Sequence, residues 1–323
     1  MDKDKQIIGV DVSKDTLDLY SEDKGHLKVS NNEKGFKELR KHYGKDGVYV
    51  MEATGSYHQQ FATYMYGKGI SVSVVNPLSV KRYIQMKLCR NKTDKSDAKM
   101  ISMYGASERP KLWSPPSVYI EMSIAIQGVI SKYLRERTGL KNKLHSLTSK
   151  GIKKGLVIQS LKRSIDRLSK EIQKLEEEKE RLIKEHEPAL LSNLQSIPGI
   201  GRKTAMLLIS GTNGFRDFDN HRQVISYIGL SPIEYSSGTS VRKQSRISKT
   251  GNPQIRNHLF LCSFTASEHN KQCNALYERI TAKGKSKKLA LVAVCNKLIK
   301  QAFAIAKSGI PYDSEYRSVS PTS

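Results

Sequence analysis

The sequence predicts a mixed α/β N-terminal domain, a helical and partly coiled-coil middle, and a mainly α C-terminal domain. Three observations carry that reading. Over residues 1–110, short apolar runs that end on acids or glycines alternate with stretches of helical spacing. Residues 118–187 carry almost no strand signal. From residue 191 on, apolar helical stretches are broken by one loop rich in Gly, Ser, Lys and Arg at 234–252.

The elements follow in order. QIIGVDV (6–12) reads as a buried strand ending on an acid, and DTLDLYS and GHLKVS as two more strands. NEKGFKELRKHY has helical spacing at Phe36 and Leu39, and GVYVMEATG is a buried strand ending at Glu52. YHQQFATYMYGKG reads as a helix that closes on Gly69, and ISVSVVNP as a strand stopped by Pro77. PLSVKRYIQMKL and TDKSDAKMISMYGAS read as helices. The three prolines of RPKLWSPPSV mark a boundary, so the expected domains are 1–110, 111–190 and 191–323. Within the middle segment Leu161, Ile165, Leu168, Ile172, Leu175 and Leu182 recur at alternating spacings of four and three, the coiled-coil pattern, with Lys179 at the position the pattern skips. That seam fits a dimer contact and a helix packed within one subunit equally well. LLSNLQSIPGIGRKTAMLLISGT reads as a helix-hairpin-helix element around Pro198-Gly199-Ile200-Gly201.

The 323 residues carry 55 Lys+Arg against 31 Asp+Glu, a net charge of +24, which points to a polyanionic partner. No run of about 18 apolar residues appears and the start MDKDKQIIGV is not a signal peptide, so a cytoplasmic, nucleoid-associated protein without membrane contact is expected. Cys89, Cys262, Cys273 and Cys295 are scattered and read as reduced thiols, and no His/Cys metal cluster is evident.

Against this basic background four acids stand out. Asp11 and Glu52 end strands, and Asp94 and Asp97 lie three apart on one face at a helix start. Taken singly, each is as well explained by a cap or a solvated face. Four carboxylates converging would repel unless cations lay between them, and oxygen-only ligands suit Mg²⁺ or Mn²⁺. Two such ions can clamp a phosphodiester, as in RNase H-like nucleases and transposases. Lys92, Lys95 and Lys99 around the aspartates are candidate phosphate contacts. So are Gly199, Gly201, Arg202 and Lys203 of the hairpin, where glycines and a helix N-terminus can meet a backbone. In the loop, Ser236 and Ser237 are followed by Arg242, Lys243, Arg246, Lys249 and Arg256. A serine there could attack a phosphodiester beside cations that stabilise the transition state, although a plain phosphate-binding loop reads as well. A sugar-kinase or Hsp70-type ATPase begins with a similar strand–Asp–turn–strand, but it needs a second α/β domain where this chain is helical and basic.

These blocks together resemble the DEDD-type insertion-sequence transposases, relatives of the Piv DNA invertases. The resemblance runs through GVDVSKDTLDLY, VMEATGSYH, VNPLSVKRY, NKTDKSDAKMI, SIPGIGRKTA, YIGLSPIEYSSG and RISKTGNPQIRNHL, nearly the whole chain. It departs at SSGTS, where many relatives have a second glycine after SSG. The resemblance implies an RNase H/RuvC-like domain holding Mg²⁺ on Asp11, Glu52, Asp94 and Asp97. It implies a helical transposase domain whose serine, Ser236 or Ser237, becomes linked to DNA. It also implies a homo-oligomer, dimer to tetramer, assembled through the coiled coil. Its partners would be donor and target DNA and a guide RNA encoded by the element. Two other functions remain open at this stage: a metal-dependent nuclease resembling a Holliday-junction resolvase, which needs no serine, and a non-enzymatic nucleic-acid binder.

Overall fold

The computed structural model describes residues 5–88, 93–237 and 241–315, without the side chains of 234–237 and 241–245. The chain forms two compact units, residues 1–115 and 116–323.

The first unit is built on a five-stranded sheet. Its elements run β1 (Ile7–Val12), β2 (Thr16–Ser21), β3 (Gly25–Ser30), α1 (Glu33–Tyr43), β4 (Val48–Glu52), α2 (Tyr57–Gly67), β5 (Ser71–Val75), α3 (Pro77–Met86) and α4 (Asp94–Glu108). The strand order is β3-β2-β1-β4-β5. β1, β2 and β3 pair antiparallel as a meander, whereas β4 lies parallel to both β1 and β5. Alternation along the strands divides the side chains between two faces. Ile8, Val10, Leu17, Leu19, Tyr49 and Met51 pack with Phe36 of α1 and Phe61 and Met65 of α2. Val48, Val50 and Val75 pack on the other side with Val80 of α3 and Ile101 of α4. The helices start where the sequence supplies caps: Asn32 accepts from the Gly35 amide at 3.1 Å, and Asn76, before Pro77, accepts from the Leu78 amide at 2.9 Å.

The second unit opens with two long helices, α5 (Val118–Ser149) and α6 (Leu156–His186), joined by a short turn. They pack on each other along Ile126, Ile130 and Ile172, with Tyr133, Leu175 and Leu182 beside them. The heptad pattern thus closes a helical hairpin within one chain. The rest comprises α7 (Pro188–Gln195), α8 (Arg202–Gly211), a 3₁₀ turn (Asn213–Phe215), α9 (His221–Ile228), β6 (Pro232–Ser237), β7 (Val241–Ile247), α10 (Pro253–His269), α11 (Lys271–Ala282) and α12 (Lys287–Ser308). Its core gathers Leu194, Leu208, Phe215, Val224, Ile228, Ile255, Leu259 and Leu298. α12 is long and apolar enough to cross a membrane by length and composition, a run that the sequence reading passed over. Here it is a core helix: Ala290, Val294, Leu298, Ile299 and Ala302 are buried at helical spacing. Cys262, Cys273 and Cys295 are free and buried, and Cys89 lies outside the described residues.

The stretch 234–252, expected as a loop, holds most of an antiparallel hairpin of β6 and β7. Basic side chains replace the apolar alternation that ordinarily announces a strand, so the period is hidden in the sequence.

Candidate active site

The acids assemble from backbone geometry. The β1–β4 register pairs Val10 with Met51, so Asp11 and Glu52, each one residue further on, lie at the same level near the carboxyl ends of neighbouring parallel strands. α4 reaches them because β1 has no side chain at Gly9. A Cβ there would lie 2.1 Å from the Ala98 carbonyl oxygen and 2.3 Å from the Ser102 amide. The helix therefore rests directly on the strand, and Ser102 Oγ donates to the Ile7 carbonyl at 3.1 Å. From Ser102 back to Asp97, α4 runs opposite to β1, which carries its N-terminal turn to the carboxyl end of the strand. Hydroxyls cap that turn: Thr93 Oγ1 accepts from the Ser96 amide at 3.2 Å and Ser96 Oγ from the Thr93 amide at 2.9 Å. Asp94 and Asp97 lie in the first turn, where the helix dipole favours negative charge.

Electrostatics report the convergence. The Asp11 carboxyl is pushed up to about 6, first by burial and then by the charges of Asp97, Glu52, Asp94 and Asp18. Of the acids expected from the sequence, Asp97, Glu52 and Asp94 thus lie near enough to Asp11 for their charge to act on it, and so does Asp18. Asp18 is the register partner of Asp11 across β1–β2, and Lys28 is the partner of Asp18 across β2–β3. The Asp18 side chain, 7% exposed, contacts His26 Nε2 at 2.9 Å and Lys28 Nζ at 3.1 Å. Lys28 also lies 3.6 Å from Asp94. The sequence reading missed Asp18 and Lys28. The available signal was an acid between two leucines, Leu17 and Leu19, in a strand whose polar positions face the site.

Among the described residues, no group of three or more His, Cys, Asp or Glu side chains is placed to hold a metal ion. The donor set nevertheless fits a divalent cation by its chemistry. Its groups are carboxylate oxygens, and the repulsion that adds to burial at Asp11 is what such a cation would relieve.

The other candidates fall as follows. Lys99 lies over the Tyr20 ring at 5.7 Å, Lys95 is exposed, and Lys92 lies outside the described residues. Arg202 pairs with Glu180 at 3.0 Å and Lys203 with Glu176 at 2.6 Å, so both reach back to α6. Gly199, at φ +101°, lets the turn between α7 and α8 pack on α10, since a Cβ would lie 2.7 Å from that of Ala266. Around Gly201 there is open space. Arg256 donates to the Ile228 carbonyl at 2.7 Å and so ties α10 to the end of α9. Arg246 and Lys249 are exposed. The hairpin register pairs Ser236 with Arg242, Ser237 with Val241 and Tyr235 with Lys243. The side chains of Ser236, Ser237, Arg242 and Lys243 lie outside the described residues.

Comparison with known proteins is consistent along the chain. A family model described as transposase, of the DEDD IS110 type, matches residues 8–150, and one described as transposase IS116/IS110/IS902 family matches residues 191–278. The pilin gene-inverting protein of Moraxella bovis is 30% identical over 96% of this chain and 98% of its own length. That of Moraxella lacunata is equally similar, at 30% over 96% and 98%. The transposase of insertion sequence element IS1111A from Coxiella burnetii is 27% identical over 91% of this chain and 88% of its own.

Proposed function

Because the chain belongs to the IS110 family of transposases, and is therefore a DNA transposase or recombinase, we propose that it cuts and rejoins DNA through a serine of the β6–β7 hairpin, with the acids around Asp11 as its metal-binding half. The observation that carries this reading is the convergence of Asp97, Glu52 and Asp94 on Asp11. The strand order β3-β2-β1-β4-β5, with acids at the ends of two adjacent parallel strands, supports the RNase H/RuvC-like reading of the first unit.

A DEDD transposase domain implies a divalent ion. Asp11, Glu52, Asp94 and Asp97 would hold Mg²⁺ or Mn²⁺, which when bound supplies positive charge to a phosphodiester under attack. The remaining chemistry belongs to the chain. The hydroxyl of Ser236 or Ser237 attacks phosphorus, a P–O(serine) bond forms, and the P–O bond to the neighbouring nucleotide breaks as its oxygen takes up a proton. A hydroxyl of the second DNA strand then attacks the phosphoserine, which restores the serine and joins the new strands. The basic residues that follow the serines in the sequence, Arg242 and Lys243 among them, would supply cationic charge to the transition state. Donor and target DNA are the substrates, and an element-encoded guide RNA that pairs with both chooses the sites. The net charge of +24 suits a protein that holds both nucleic acids, and a dimer or tetramer would bring the two halves of the chemistry together.

The test is recombination between a donor and a target plasmid. Asp11→Asn, and Ser236→Ala with Ser237→Ala, should each abolish it while the chain stays folded. Denaturing gels of the wild-type reaction should trap a protein–DNA adduct. Free cut ends without adduct would instead assign a resolvase-like nuclease that uses the acids alone.

A further inference from the structure

The heptad pattern of α6 has one exception, and the structure gives it a setting. Lys179 stands seven residues after Ile172 and four after Leu175, where the seam calls for an apolar side chain. It is buried, at 2% exposure. Its ammonium donates to Gln127 Oε1 on α5 at 2.8 Å, a neutral acceptor, and among the described residues it forms no salt bridge. A buried cation with one neutral partner is costly, and an apolar residue would serve the seam better.

Lys179 lines an open-mouthed pocket of about 400 Å³ between α5, α6, α8 and α10. Arg137, Lys203 and His258 share the lining, with Glu176 as its one carboxylate. Glu176 is engaged by Lys203 at 2.6 Å. Arg137 donates to Ser169 Oγ at 3.2 Å and has no carboxylate partner among the described residues. The positive field is felt across the pocket: the His258 imidazole is pushed down by burial and by Lys179 and Lys203. The Lys179 amine is itself pushed down to about 8, chiefly by burial. Ile130, Leu134, Ile172 and Met206 supply the apolar part of the lining.

Cations and apolar side chains lining one pocket suit an amphipathic anion. We propose that this pocket binds a nucleoside phosphate, with its phosphate held by Lys179 and Arg137 and its base laid against Ile130, Ile172 and Met206. The source is either an unpaired nucleotide of a bound nucleic acid or a free nucleotide. Only the first of these rests on the function proposed above. On this account Lys179 is kept in the seam for its charge, and the phosphate adds the direct ionic partner that Glu176, engaged by Lys203, does not give it.

The test titrates 2-aminopurine riboside 5′-monophosphate into the full chain and follows its fluorescence. Saturable binding is expected, weakened about tenfold or more when the phosphate is left off the probe. Lys179→Met and Arg137→Gln should each weaken it by a similar factor, and Lys179→Met should melt no lower than wild type. Equal affinity in both variants, absence of saturable binding, or displacement of the probe by inorganic phosphate as efficiently as by the nucleotide would overturn the proposal. Displacement by a single-stranded oligonucleotide supports the polymer as the source, and displacement by mononucleotides alone supports a free ligand. Anisotropy of a labelled DNA duplex, measured in parallel, reports on the transposase reading separately. Its failure would sink that reading and leave the mononucleotide result to stand or fall alone.

Discussion

Asp11 and Asp18 face each other across the β1–β2 pair, and Lys28, next in the same row, bridges Asp18 to Asp94 at 3.1 and 3.6 Å. The site therefore carries its own cation before any metal arrives. Asp18 and Lys28 should behave as a unit. Lys28→Ala leaves a buried carboxylate with His26 alone and should lower the melting temperature, while Asp18→Asn added to it should recover part of the loss. Additive losses in that double-mutant cycle would show that the two side chains act independently.

Ionised Asp11 costs stability, because its folded pKa of about 6 lies above the ordinary aspartate value of 3.8. The protonated form favours the fold below about pH 4, and that advantage is lost as pH rises through 6. Asp11→Asn should therefore stabilise the metal-free chain at pH 7.5 by about 1–2 kcal/mol, a figure reduced for partial solvent screening. Melting curves in chelator at pH 7.5 and about 3.5 check this, and the gain should be almost gone at the lower pH. Added Mn²⁺ should then raise the melting temperature of wild type more than that of the variant.

Gly9 is the contact on which α4 is seated. Gly9→Ala drives a methyl group into the Ala98 carbonyl, at 2.1 Å, with backbone on both sides and no side chain able to move away. The helix must lift, at a cost of about 3 kcal/mol, and Asp94 and Asp97 lift with it. A lowered urea midpoint together with loss of recombination is the expected result. Unchanged stability would mean that α4 is not held against β1.

Lys179→Met should raise stability by about 1–4 kcal/mol at pH 7, since it replaces a buried cation by an apolar chain of similar length. The cost it removes is fully present below the folded pKa of about 8 and is relieved as pH rises toward the ordinary lysine value of 10.5. The difference between variant and wild type, measured by denaturant unfolding, should accordingly shrink between pH 8 and 10.5.

Asp11, Glu52, Asp94 and Asp97 could be found in the sequence because local rules expose them: strands that end on acids, and two acids one helical turn apart. Asp18 could not. It looks like the polar position of an alternating strand, and only strand register sets it opposite Asp11. Register and long-range pairing also explain the altered standing of Arg202 and Lys203. Their carboxylate partners, Glu180 and Glu176, lie more than twenty positions earlier, on another helix. The charge of Arg256 is legible in the sequence, but not the bond by which its guanidinium fastens α10 to the end of α9. The β6–β7 hairpin was hidden for a different reason: its strands are rich in Ser, Lys and Arg and lack an apolar face that a period could reveal.

The α5–α6 hairpin also limits how this protein can change in length. Its arms are 32 and 31 residues, so at about 1.5 Å per residue each spans nearly 50 Å. Deleting one residue from one arm turns everything beyond it by about 100° and takes Ile126 or Ile172 out of the seam. Loss or gain of material is tolerable only as matched blocks, about seven residues from each arm, which move the tip in steps of about 10 Å. Reach, in this molecule, is quantised.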